Sequence, residues 1–257
     1  MTRALPRTNL HSSRLIRFFA DLAMVDAVGP GNAFAEKLGL WLDFTDAITL
    51  RAAHDVSTTG TPEAPSGVQA HARVAVGAQF ARVRAALADS ITKSCSPNGG
   101  KTRIEMPTPQ AGVPLDLGVA YAPYRRSYLA HQRDMDLSVR PLRVNVREVL
   151  AAASPPLKKL AALDAALDGI LREREASLLS TVPSLLKKRF EQLFKAHQQT
   201  LVDTQQADNP AAWMQTGAWL ACFCHELETV LLAELDLRLQ PTLGLMEALN
   251  HETTKHQ

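Results

Sequence analysis

Apolar residues recur at steps of three and four along most of this chain, and this spacing constrains its fold more than any other feature. The clearest segment has steps of four, three, four and four between Leu186, Phe190, Leu193, His197 and Leu201. Such spacing places side chains on one face of an α-helix and is close to the heptad repeat of coiled coils. Alternation with a period of two, which indicates a β-strand, is limited to a few residues at 142–146. The spacing predicts an all-α protein.

Turn-forming and capping residues divide this pattern into separate helices. Ser154 and Pro155 stand where an N-cap and a first helical residue are preferred. Because proline interrupts the hydrogen bonds of a helix interior, we expect Pro123, Pro141 and Pro241 to lie at helix ends. The predicted helices cover residues 10–27, 32–54, 68–92, 124–138, 141–153, 155–179, 183–201 and 210–239, with a short last helix ending at residue 250.

The distribution of proline and glycine predicts how these helices are grouped. Five prolines and four glycines lie between residues 94 and 123, which argues against an uninterrupted helix there. We therefore expect an elongated antiparallel helical bundle with long, partly coiled-coil-like helices after a small N-terminal helical unit. The predicted divisions are the N-terminal unit at 1–93, the connection at 94–123, the bundle at 124–250 and a polar tail at 251–257.

Charge and cysteine content limit the partners and the compartment. The chain has 28 basic and 26 acidic residues, so no global field favours nucleic acid or an anionic membrane. Its apolar runs are too short to cross a membrane, and the N-terminus lacks the uninterrupted apolar stretch of an export signal. Three cysteines are too few for a disulfide framework. We expect a cytoplasmic protein that does not insert into a membrane.

One short stretch, ACFCHELE at 221–228, gathers residue types that bind metals. Cys222 and Cys224 lie two positions apart, which on a helix directs them about 200° away from each other. Cys224 also falls on an apolar stripe of its predicted helix, which indicates a core residue. Cys222 with His225 or Glu226 has helix-compatible spacing, but two ligands make a weak site. We therefore predict no metal and no cofactor.

Sequence motifs give no support for an enzyme. The stretch SPNGGKT at 96–102 ends like a phosphate-binding loop, but the position of its first glycine is occupied by Cys95. A helix rather than a strand is predicted before it, which favours a flexible turn. The chain also lacks a nucleophile elbow, a zinc-protease helix and a dinucleotide fingerprint. We expect a protein without catalytic residues.

The segment 121–147 is rich in arginine and begins with three tyrosines. Guanidinium groups beside stackable rings can hold phosphates or bases, which makes this segment a candidate for anion or nucleic-acid contact. In the alternative, which the near-neutral chain favours, the arginines pair with carboxylates of neighbouring helices and the tyrosines pack between them. The candidate contact residues are Arg125, Arg126, Arg133 and Arg140, beside Tyr121, Tyr124 and Tyr128.

Three long phrases of the sequence resemble a proteobacterial family, the domain of unknown function 3348. They are LHSSRLIRFFADLAMVDA, FAEKLGLWLDFTDAITLRAAH and the segment 128–190 that begins YLAHQRDMDLSVRPLRVNVREVL. The resemblance covers most of the chain apart from the connection and the tail. It implies a gene neighbourhood with a stator-like inner-membrane protein and an OmpA-like peptidoglycan-binding protein. It therefore implies a soluble accessory of an ion-driven envelope complex, and it carries no catalytic residues.

Together these observations predict a non-enzymatic helical interaction or scaffold protein. Its partners would be proteins, with a stator-like inner-membrane protein or a second copy of the chain as candidates. The first surface to test combines Leu186, Phe190, Leu193 and Phe194, although a lone bundle would bury such a stripe in its own core. The alternative is a helical module that binds nucleic acid through the segment 121–147.

Overall fold

The computed structural model describes residues 13–22, 41–55, 66–96, 103–107 and 117–255, and this part of the chain is all-α, without a β-strand. Its helices are α1 (Arg14–Asp21), α2 (Phe44–His54), α3 (Ser66–Cys95), α4 (Leu117–Ala153), α5 (Pro155–Leu179), α6 (Val182–Thr204) and α7 (Trp219–Lys255), with a 3₁₀ turn (Pro210–Ala212) before α7.

Helices α4 and α7, each 37 residues long, form the centre of the molecule. They pack against each other, and α3, α5 and α6 contact both of them. The buried side chains of α4 recur at steps of three and four, so one face of the helix points to the core along its whole length. This face consists of Tyr121, Tyr124, Ser127, Tyr128, His131, Met135, Val139, Leu142, Val146 and Leu150.

The predicted helix starts at Pro155 and near Pro183 are confirmed. Ser154 alone separates α4 from α5, and its side chain accepts a hydrogen bond from the backbone N–H of Leu157. Pro183 lies in the first turn of α6. In α2, Asp43 and Asp46 exchange side-chain to backbone hydrogen bonds in a capping box.

The predicted helix ends at proline are wrong in three places. Pro123 and Pro141 lie inside α4, and Pro241 lies inside α7. An internal proline costs about 3 kcal/mol. Burial on both sides of each proline offsets this cost, as the core side chains Tyr121 and Leu142 illustrate for α4. The residues at 142–146, considered for a strand, belong to the same helix.

Other boundaries differ from prediction. Pro210 begins a 3₁₀ turn that Asn209 caps, and the long helix starts only at Trp219. It then runs through residue 250 to Lys255, so most of the predicted tail is helical. The connection is shorter than predicted, because α3 extends to Cys95 and α4 begins at Leu117. Within that connection, 97–102 and 108–116 lie outside the described residues, as do the predicted helical positions in 10–12 and 23–40.

Helices α1 and α3, which precede the connection, share one hydrophobic cluster with the C-terminal helices. Leu15 and Phe19 of α1 and Ile91 of α3 are buried together with residues of α4 and α7. Helix α3 packs against both central helices, and α1 packs against α7. The predicted connection therefore separates segments of sequence that contribute to the same core.

Candidate functional site

The predicted partner surface on α6 lies in the core of the chain. Leu186 and Phe190 are each 1% exposed, Phe194 is buried as well, and Leu193 is half-buried against the same cluster. The Phe190 ring lies 5.0 Å, between ring centres, from Phe223. These side chains make their contacts within the molecule. The stripe on α6 is therefore a core face, which was the alternative to a partner surface.

The three tyrosines of the arginine-rich segment are buried, as the alternative for that segment predicts. The Tyr121 hydroxyl donates to the Pro183 carbonyl at 2.7 Å, and the Tyr128 hydroxyl donates to Glu234. Burial raises the pKa of all three phenols. None of these rings is available for stacking against a base.

Two arginines of the segment pair with carboxylates of α5. Arg143 and Arg147 each contact both Asp164 and Asp168, at distances from 2.6 to 3.1 Å. Burial opposes ionisation of Asp168, but the hydrogen bond from Arg147 and the charges of both arginines lower its pKa overall. The four side chains are half-buried and join α4 to α5.

Three of the other four arginines of the segment face a groove of about 420 Å³ that we call the arginine groove. Helices α4 and α5 form its walls, and the start of α6 and the middle of α7 close it. Arg125, Arg133 and Arg140, three of the four predicted contact residues, line this groove. Arg126, the fourth, lines a second groove of about 390 Å³ on the other side of α4, which Arg133 also borders.

Positive charge dominates the arginine groove. Six arginines line it against the three carboxylates of Asp136, Asp168 and Glu175. Arg140 forms an exposed ion pair with Asp136 at 2.7 Å, whereas Arg125 and Arg133 make no ion pair with any described residue. Unpaired guanidinium groups can form two parallel hydrogen bonds with a carboxylate or a phosphate. The groove therefore suits an anionic ligand.

A buried carboxylate supports the wall of this groove. Glu234 of α7 is fully buried, and it accepts hydrogen bonds from Tyr128, from Gln132 at 3.0 Å and from Arg238 at 2.9 Å. A buried carboxylate requires such donors, because losing water without them is costly. Arg238 also lies 3.8 Å from Asp136 and lines the groove. Glu234 thus fixes the position of one groove arginine.

Residues 1–251 match the model of one protein family, which is described as "Protein of unknown function (DUF3348)". The chain belongs to the DUF3348 family. This membership confirms the resemblance of the sequence phrases. Neither curated proteins nor solved structures give a significant match to this DUF3348 protein. None of its described helices is both long enough and apolar enough to cross a membrane.

A serine and a histidine meet in the core of the DUF3348 protein. The Ser94 hydroxyl lies 2.8 Å from the Ile91 carbonyl oxygen and 2.9 Å from Nε2 of His131. Because the carbonyl only accepts, the hydroxyl proton points to it, and Nε2 of His131 donates to Ser94. A catalytic base would instead accept the serine proton. Burial also lowers the pKa of His131 to about 4, so the ring is neutral near pH 7.

The ACFCHELE stretch of the DUF3348 protein lies in α7 and divides between the core and the surface. Cys224 is buried, as its apolar stripe predicts, and burial raises the pKa of its thiol to about 12. The His225 side chain is 80% exposed and approaches Glu228 at 4.0 Å. Among the described residues, no three histidine, cysteine or acidic side chains are grouped as metal ligands.

Sequence reasoning missed Glu234 and the α5 carboxylates of this DUF3348 protein. Glu234 follows the apolar run VLLA, and a carboxylate at this position is a signal that could have marked a buried polar network. Asp164 and Asp168 are four residues apart, as are Arg143 and Arg147. Matching helical spacing of opposite charges on neighbouring helices was the available signal for their pairing.

Proposed function

We propose that this DUF3348 protein is a non-enzymatic helical interaction protein that holds an anionic part of its partner in the arginine groove. The observation that carries this proposal is the presence of two exposed arginines, Arg125 and Arg133, that face the groove without an ion pair among the described residues. Such guanidinium groups can form charge-assisted, two-pronged hydrogen bonds with carboxylates and phosphates. The core side chains Val139 and Leu179 contribute apolar lining, which suits a protein segment.

The chemistry of the groove supports binding rather than catalysis. Its main functional groups are guanidiniums, which keep their protons at physiological pH and therefore do not act as general acids or bases. Two carboxylates in the groove are held by arginines: Asp136 contacts Arg140, and Asp168 contacts Arg143 and Arg147. Burial opposes ionisation of Asp168, but the hydrogen bond from Arg147 and the charges of both arginines lower its pKa overall. An anionic partner would be fixed in place without being transformed.

The family resemblance provides the candidate partner. In the proposal, the protein is cytoplasmic and associates with the inner membrane through a stator-like neighbour, acting as an accessory of an ion-driven envelope complex. The neighbour would present acidic side chains of its cytoplasmic part to the arginine groove. A protein partner of this kind agrees with the near-neutral charge of the whole chain, since only a local patch is positive.

Copurification tests the proposal in native cells. The tagged chain is expected to copurify with the stator-like neighbour from solubilised envelopes, and the double variant R125E/R133E is expected to lose it because both unpaired cations are reversed. The matched control is Arg82→Glu, which reverses an exposed arginine on α3. Retention of the neighbour by R125E/R133E at the wild-type level would contradict the proposed role of the groove.

Nucleic-acid binding is the second candidate, because Arg125 and Arg126 are both exposed and have no ion pair among the described residues. It depends on these arginines alone, since the adjacent tyrosines are buried. It predicts binding to single-stranded DNA that weakens with salt and with R125A/R126A. Absence of binding at low salt removes this candidate.

A further inference from the structure

One face of α4 is exposed to solvent from residue 126 to residue 144. Its side chains follow one another at steps of three and four, opposite the buried face of the same helix. We call this face the α4 ridge; it consists of the half-buried Leu129 and the exposed Arg126, Arg133, Leu137, Arg140 and Val144. At 1.5 Å per residue the ridge is about 27 Å long. It is long enough to contact a helix of about five turns.

Arginine and aliphatic side chains are combined along the ridge. Leu137 is 66% exposed and Val144 is 47% exposed, so the ridge presents apolar as well as cationic groups to solvent. The arginine groove and the second groove lie on its two sides, and Leu129 and Arg133 border both. The ridge and its two grooves therefore form one continuous surface.

The charged side chains of this surface that lack a strong ion pair are arginines. Arg126 and Arg133 have no ion pair among the described residues, and Arg140 is held only by Asp136 four positions earlier in the helix. Exposed pairs of this kind contribute little free energy, so Arg140 can exchange its partner at low cost. The other carboxylate at the ridge, Asp134, is occupied by Arg103 in the second groove.

This pattern distinguishes between classes of ligand. A small anion would use one groove and leave Leu137 and Val144 without a role. A nucleic-acid strand would contact the arginines but would find the aromatic rings of the segment buried. A helix with carboxylates and apolar side chains at its own steps of three and four matches both components of the ridge.

We propose that the α4 ridge binds an acidic amphipathic helix of a partner protein, with partner carboxylates on Arg126, Arg133 and Arg140 and partner apolar side chains on Leu137 and Val144. This inference rests on the proposed function and specifies the chemistry of the partner. The partner helix lies along α4 over about five turns. The arginines select a partner with negative charge, and the aliphatic side chains select a helix that carries an apolar stripe.

Fluorescence anisotropy with the full chain tests this inference directly. The probe is a labelled 20-residue helical peptide with glutamate and leucine at steps of three and four, and the control peptide has the same composition in scrambled order. The wild-type chain is expected to bind the amphipathic peptide at least about 10-fold more tightly than the scrambled one. Equal binding of the two peptides, or no binding of the amphipathic peptide at low salt, overturns the inference.

Variants of the ridge separate its two components. R126Q/R133Q is expected to weaken peptide binding by about 10-fold and to reduce its salt dependence, whereas L137S/V144S is expected to weaken it about 5-fold or more without changing the salt dependence. The matched controls are Arg82→Gln and Val74→Ser, both exposed on α3, and they should bind as the wild type does. Full binding by L137S/V144S overturns the inference.

Competition and copurification distinguish the failure of this inference from the failure of the proposed function. The competitors are single-stranded DNA and inorganic phosphate, each at an equal concentration of charge. Displacement of the peptide by either of them would assign the surface to phosphates and would overturn the inference that it binds a helix. If the stator-like neighbour is lost with R125E/R133E but is retained by L137S/V144S, the arginine groove keeps its function and the α4 ridge loses its assigned ligand.

Discussion

Glu234 and Tyr128 show how a single polar contact stabilises the centre of this molecule. Glu234 is fully buried, and Tyr128 is one of three side chains that donate to it. We expect Tyr128→Phe to lower the free energy of unfolding by about 1–3 kcal/mol, because it removes a donor from a buried carboxylate. Urea denaturation followed by circular dichroism measures the change.

Tyr124→Phe is the matched control for this prediction. Its hydroxyl donates to the Pro107 carbonyl at 3.4 Å, which is a weak, partly buried hydrogen bond to a neutral acceptor. The control should lose less stability than Tyr128→Phe. A larger or equal loss in the control would mean that the Glu234 network contributes little.

His131 should make stability depend on pH. Burial lowers its pKa to about 4 from an ordinary value of 6.5. The unfolded chain therefore binds the proton more readily, so the stabilising contribution of neutral His131 is complete above pH 6.5 and is lost as the pH falls towards 4. The loss attributable to His131 should reach up to about 3 kcal/mol.

Urea denaturation at pH 7 and at pH 4.5 measures this contribution of His131. The comparison is with His131→Gln, which stays neutral over this range and retains a donor for Ser94. The variant is expected to lose less stability between the two pH values than the wild type. Parallel losses would show that other groups cause the acid sensitivity.

At the scale of elements, two glycines should respond oppositely to the same substitution. Gly217 precedes α7 with a φ of +84°, whereas Gly169 lies within α5, and neither would bring a new Cβ within 4 Å of another atom. Gly217→Ala should cost about 1 kcal/mol because the left-handed conformation is strained for alanine. Gly169→Ala should stabilise the protein by about 0.5–1 kcal/mol because alanine favours a helix.

Thermal unfolding of these two variants under the same conditions makes the comparison. The midpoint is expected to fall for Gly217→Ala and to rise for Gly169→Ala. An unchanged or higher midpoint for Gly217→Ala would show that the segment before α7 tolerates the substitution by changing its backbone conformation, and a lower midpoint for Gly169→Ala would contradict the prediction for α5.

The helices could be predicted from sequence better than their ends. The spacing of apolar residues identified the helices, and Ser154 followed by Pro155 identified the true start of α5. Pro141 gave the wrong boundary because its effect depends on how much surface the continued helix buries, which is a property of the neighbouring helices. The start at Trp219 depends on the turn at Gly217, which the sequence marks only by one glycine.

At the scale of the whole molecule, the segments on both sides of the connection should unfold together. Ile91 of α3 is fully buried in the cluster that α4 and α7 form. A fragment covering residues 117–257 exposes the surface that α3 covers, and we expect it to unfold at lower urea concentration than the full chain and to bind the dye ANS. Equal stability of fragment and full chain would indicate an independent C-terminal domain.

The sequence could predict which arginines belong to the candidate site, but not which of them are paired. Four of the six arginines of α4 were identified as candidates because they lie in one basic segment. The separation of the six into groups that do and do not pair with another helix required the packing of α5, since Asp164 and Asp168 neutralise Arg143 and Arg147 but do not contact Arg125 or Arg133. Charge alone cannot make that distinction, because it depends on which helix is adjacent.

The different burial of the three cysteines has a practical consequence for labelling. Burial raises the pKa of both Cys95 and Cys224 to about 12, and only a thiolate reacts readily with a maleimide. Cys222 is the partly exposed thiol of the three. A fluorophore or a photo-crosslinker should therefore attach to α7 at one position without any engineered cysteine, which provides a fixed reference point for distance measurements on the native sequence.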